Sequence, residues 1–189
     1  MVARSDQKWV PAHRGNGRTG LLLDPIALLT REHEMIREQL RMIEAIVGPR
    51  GANPHGSGMH GLAESDRDTL RQLFRFFTSR VGVHFKRESL LIAALTRTRG
   101  QKRGEREQFD TLLLEHRALK AGAAGILRKL NQKPAHAADD GGADPFGILT
   151  FVKRYRGHLA CEERILYVLA EMRLTAQQKQ WISQRMLHV

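Results

Sequence analysis

HLACEERILYVLAE, residues 158–171, has leucine, isoleucine and alanine recurring at helical spacing, as a buried helix requires. His158 and Glu162 are four residues apart and so share one face. That face is the apolar one. An imidazole and a carboxylate directed into a helix's own core need a reason. Residues 84–95, HFKRESLLIAAL, repeat the arrangement with His84 and Glu88.

Punctuation and period divide the rest of the chain into further helices. Asp24-Pro25 predicts an N-cap followed by proline at the first helical position. The helix it opens carries Ile26, Leu29, His33, Ile36, Leu40, Ile43 and Val47 on one stripe, and Gly48-Pro49 ends it. Ser65 with Asp68 predicts a capping box that uses the shorter acid. The second stripe is Leu70, Leu73, Phe77, Val81, His84, Glu88, Leu91 and Leu95, fading near Gly100 and Gly104. The third is Phe109, Leu112, His116, Leu119, Ala123, Ile126 and Leu130. Asp144-Pro145 repeats the first start signal, and the fourth stripe reads Ile148, Phe151, Tyr155, His158, Glu162, Ile165 and Leu169. Thr175 with Gln178 predicts another capping box and a short terminal helix. Stripes near period 3.5 with short or moderate connections imply an all-α antiparallel up-down four-helix bundle. Residues 1–22 read as a disordered basic arm and residues 23–189 as the bundle domain.

Composition agrees. A chain of 189 residues, 41% hydrophobic and 27% charged, suits one globular domain. The single cysteine, Cys161, excludes an internal disulfide and fits a reducing cytoplasm. No apolar run approaches the roughly 18–20 residues that span a bilayer, and the N-terminus lacks the apolar segment of a secretory signal. The formal net charge of +11 gathers in the arm and around Arg97, Arg99, Lys102, Arg103 and Arg106. Such charge attracts nucleic acid. With 6% aromatics and no nucleic-acid module signature, it reads rather as a solvated basic surface.

His33, His84, Glu88, His116, His158 and Glu162 all occupy stripe positions, with a histidine on each helix. Burying such groups unpaired costs several kcal/mol each, and a metal would supply the compensating charge. Their heights agree too. Counted from the rim shared by the first helix's start and the second's end, all six fall within a slab of roughly 12 Å at 1.5 Å per residue. Two metals about 3.5–4 Å apart fit such a slab. Imidazole and carboxylate without thiolate permit Fe, Mn, Zn or Cu.

On these residues the chain resembles the hemerythrin-like (HHE cation-binding) family across about residues 24–174. HFKRESLLIAAL and HLACEERILYVLAE are similar to its second and fourth helices, REHEMI and LLLEHRAL to its single-histidine first and third. The resemblance implies a four-helix bundle holding two non-haem irons, bridged by oxygen, with O₂, NO or peroxide as the small ligand. It implies His33 and His84 on one iron, His116 and His158 on the other, and Glu88 and Glu162 as bridges. Glu163 competes with Glu162, because a five-residue spacing also occurs in the family; the stripe favours Glu162.

Several positions depart from the family pattern. Lys120 stands where oxygen carriers place a further histidine, Val168 replaces a usual proline, and Ser89 replaces a usual second acid. Without that histidine, two six-coordinate irons would keep about two open positions, which suits sensing, iron handling or a stress response better than O₂ carriage. Tyr155, one turn before His158, is a candidate hydrogen-bond donor to the centre, and Lys120 a candidate anion holder. Peroxide decomposition or iron–sulfur repair at the same centre is the alternative, and a basic nucleic-acid module with a structural metal a third.

Overall fold

Asp24 caps the first helix as its sequence requires: its carboxylate accepts the Ile26 amide at 3.0 Å, with Pro25 in the first turn. The computed structural model describes residues 24–48, 63–98, 103–132 and 144–189; the basic arm lies outside the described residues. The described residues are helical, with no strand among them: α1 Pro25–Val47, α2 Glu64–Leu95, α3 Arg103–Asn131, α4 Ile148–Cys161, α5 Val168–Arg173 and α6 Ala176–Met186. A π-helical segment, Glu162–Tyr167, joins α4 to α5 without a break. α2 packs on α1 and α3, α4 on α1 and α3, and α6 on α1 and α2.

Two start signals act differently from expectation. Ser65 lies inside α2, whose N-cap is Ala63 with no side-chain bond. Its predicted box partner, Asp68, pairs with Arg71, because a guanidinium one turn away competes for the acid. Asp144 does not open α4 directly. The chain first makes a 3₁₀ turn, Pro145–Gly147, with Phe146 and Gly147 at φ of 63° and 73°. Asp144 then reaches across the turn to accept the amides of Leu149 at 2.7 Å and Thr150 at 2.9 Å. It caps a helix that begins later than the Asp-Pro pair indicates. α2 likewise stops at Leu95, and Gly104 belongs to α3. The Thr175–Gln178 capping box forms as read.

The apolar stripes assemble into two clusters. One gathers Ile36, Leu40, Phe74, Phe77, Leu119, Ile126, Phe151 and Leu159. The other gathers Leu29, Leu91, Leu95, Phe109, Leu112 and Leu166. Full burial of each such side chain contributes about 1.5–3 kcal/mol. α1 and α3 run from the second cluster to the first, whereas α2 and α4 run from the first toward the second. Between the clusters α1, α2, α3 and the α4–π segment each cross one polar layer. That layer is the candidate site.

Candidate metal centre

His33 enters from α1, His84 and Glu88 from α2, His116 from α3, and His158 and Glu162 from the α4–π segment. All six predicted residues are brought together, none more than 5% exposed. Their ligand-competent atoms form two groups of four, each spanning at most 4.8 Å: His33, His84, Glu88, Glu162 and Glu88, His116, His158, Glu162. Both carboxylates belong to both groups. Glu88 lies 3.4 Å from His33 Nε2 and 3.3 Å from the Nε2 atoms of His84 and His116. Glu162 lies 3.4, 2.8 and 3.0 Å from His33, His116 and His158 Nε2. The four rings thus aim the same nitrogen at two shared acids.

The donor set fits a pair of cations. His84 Nε2, His158 Nε2, Glu88 Oε2 and Glu162 Oε2 are buried without a hydrogen-bond partner, a costly condition that a metal would relieve. The metal-free charge balance points the same way. Burial disfavours charge on His33 and His116, yet Glu162 and Glu88 override it and raise their pKa values to about 10 and about 9. Burial also opposes ionisation of Glu88 and Glu162, and the surrounding histidines hold both below the usual carboxylate range. Burial opposes charge on His158 as well, and Glu162 raises its pKa nonetheless. Protons held on these histidines therefore balance the two buried carboxylates, and cations could take their place.

Behind the rings stands an outer layer that the stripes did not reveal. Glu32 meets His84 Nδ1 at 3.0 Å, Glu115 meets His158 Nδ1 at 2.9 Å, and Glu163 meets His33 Nδ1 at 2.8 Å. A carboxylate at Nδ1 fixes the tautomer that leaves Nε2 free for a metal. Glu163 is also clamped by Arg37 at 2.6 Å. It serves His33 from outside, and Glu162 occupies the interior. The His116 ring instead stacks on Phe85, with centroids 4.0 Å apart and planes 11° from parallel.

The candidate tyrosine is the wrong one. Tyr155 is buried beside His158, but its hydroxyl has no hydrogen-bond partner. Tyr167 fills the role: its hydroxyl donates to Glu88 Oε1 at 3.0 Å and lies 2.8 Å from His33 Nε2. The π segment explains the exchange. One extra residue in that turn rotates the residues downstream of it, so Leu166, Tyr167 and Ala170 are buried where Ile165 and Leu169 were expected. Lys120 is exposed, its amine lying over Gly82 and making no hydrogen bond to the centre. Cys161 is half-buried against the second apolar cluster.

Tyr167→Phe removes a donor from an ionised, buried Glu88. The metal-free variant is expected to lose about 1.5–3 kcal/mol, read as a fall in the thermal midpoint of the chelator-treated protein. An unchanged midpoint would show that the bond contributes nothing.

With this geometry in place, comparison with known proteins adds one finding. The family model of the hemerythrin HHE cation-binding domain matches residues 24–170, a span containing all six inward-facing residues and the three outer acids. No curated protein matches the chain.

Proposed function

Because the chain belongs to the hemerythrin HHE cation-binding domain family, we propose that it is a cytoplasmic, non-haem di-iron protein that binds O₂, NO or peroxide. His33 and His84 would hold one iron, His116 and His158 the other, with Glu88 and Glu162 bridging. One observation carries this reading: two groups of four buried ligand atoms share both carboxylates. A single-metal site has no need of two shared acids. When bound, two irons supply one-electron chemistry and open positions for a small ligand.

The chain's own residues set the terms. Glu32, Glu115 and Glu163 hold three rings with Nε2 inward, and apolar clusters flank the layer on both sides. Lys120 is exposed and supplies no imidazole where the family's oxygen carriers have one, so we read the centre as suited to sensing, iron handling or a stress response. We read the alternating passage of the helices between the two clusters as an up-down four-helix bundle. No helix among the described residues is long and apolar enough to cross a membrane.

The test is metal analysis with an optical spectrum on protein purified without chelator. About two irons per chain with a near-ultraviolet absorption band are expected. Stoichiometric zinc, unchanged after exposure to iron and air, would overturn the redox reading.

A further inference from the structure

The family match ends at residue 170, and α6 lies beyond it. Even so, α6 is firmly docked: Ile182 and Met186 are fully buried in the same cluster as Leu91, Leu95 and Leu166. At its last turn the Met186 backbone carbonyl accepts the Arg87 Nε–H at 3.0 Å. The same guanidinium pairs through Nη1 with Glu32 Oε1. The other oxygen of Glu32 takes the Nδ1–H of His84 at 3.0 Å. A continuous polar line thus runs from the backbone of the terminal helix to a ring of the centre.

Two features give that line leverage. The Arg87 and Glu32 side chains are only 19% and 12% exposed, so their charge-assisted bond is poorly screened and directional. They also line a cavity of about 680 Å³ between α1 and α2, beside His84, Ile36 and Val81. Without the Met186 carbonyl, Arg87 has open space to swing into, and Glu32 has space to follow. Glu163, the acid behind His33, is held by Arg37 of the same α1 and does not depend on α6.

Building on the two-metal reading, we propose that α6 positions His84. The Met186 carbonyl aims Arg87, Arg87 aims Glu32, and Glu32 holds the His84 ring with Nε2 toward Glu88. Arg87 and Glu32 are positioning residues, and the seating of the terminal helix sets the affinity of the His33–His84 half of the centre.

The test titrates the full, metal-stripped chain with Co(II), reading both binding equivalents and the visible cobalt spectrum. Arg87→Gln is expected to weaken one of the two equivalents about 10–100-fold, leaving the other within about twofold and helicity unchanged. Arg87→Lys restores part of the loss. Ile182→Ala with Met186→Ala, which loosens α6, weakens the same equivalent. Glu115→Gln, behind His158, weakens the other. Wild-type affinity and spectrum in either Arg87→Gln or the α6 variant would overturn the proposal. So would equal weakening of both equivalents with lost helicity, which marks a merely structural role. If the unaltered chain fails to take up two Co(II) ions, the two-metal reading itself falls and the proposal with it.

Discussion

Replacing His84 and His158 together with alanine is expected to abolish metal binding while leaving the helices intact. Each histidine belongs to a different group of four, so neither half keeps its full donor set. Affinity at each should fall by more than the 10–100-fold that accompanies loss of an outer partner alone. The metal-free fold survives because each of these two rings pairs with only one of the carboxylates, His84 with Glu88 and His158 with Glu162, so both acids keep His33 and His116. His33 and His116, by contrast, each lie within 3.4 Å of both carboxylates. The converse pair, His33→Ala with His116→Ala, should therefore behave differently. It leaves Glu88 and Glu162 charged, buried and without their protonated partners, a defect of about 3–5 kcal/mol where one member of a buried pair is lost. Metal analysis and far-ultraviolet circular dichroism on both double variants separate the cases. Retention of two metals by the first pair would refute the ligand assignment, and equal stability of the two metal-free variants would refute the charge balance.

The distinction between these pairs shows what sequence could and could not reveal. All six inward residues were legible, because a helix imposes one period and each residue sits on its helix's apolar stripe. The third stripe, Phe109 to Leu130, is buried residue for residue as read. The roles of the outer acids were not legible, although each stands beside an inward residue in the sequence, and Glu163 read only as a rival of Glu162. Glu32 precedes His33, Glu115 precedes His116, and Glu163 is the residue after Glu162. A neighbour in sequence is turned about 100° from the stripe. It therefore serves the ring of an adjacent helix: Glu32 on α1 reaches His84 on α2, and Glu115 on α3 reaches His158 on α4. Those pairings depend on helix rotation and order, which no single stripe encodes.

Tyr167 was missed for another reason. A regular 3.6-residue period carried past Glu162 selects Ile165 and Leu169, and only a wider turn brings Tyr167 inward. π turns are frequent where helices carry function, and this one begins at a shared acid of the centre. The same limit applies at Asp144, whose cap is displaced by a 3₁₀ turn with two left-handed residues. At Asp144 the local signal names the capping residue, and departures from the ideal helix decide which amides it meets.

Metal loading and pH should act on stability in opposite directions. His33 and His116 hold their protons with pKa values of about 10 and about 9, against 6.5 in the unfolded chain. Groups raised on folding contribute fully below the unfolded value, and their contribution is lost as pH rises through the folded one. Glu88 and Glu162, held below the ordinary 4.5, contribute above that value and lose their contribution as pH falls. Metal-free protein is therefore expected to be most stable between about pH 4.5 and 6.5 and to weaken toward pH 10. Metal binding displaces the protons of His33 and His116, and of His158, whose burial Glu162 also overrides, so affinity should rise with pH between pH 7 and 9, about tenfold per pH unit for each proton released. Because ligand stabilisation grows with affinity, the gap between the thermal midpoints of loaded and chelated protein should widen steadily over that range. A gap that stays constant or narrows would mean that the buried histidines are neutral before metal arrives, and that Glu88 and Glu162 draw their compensation from elsewhere.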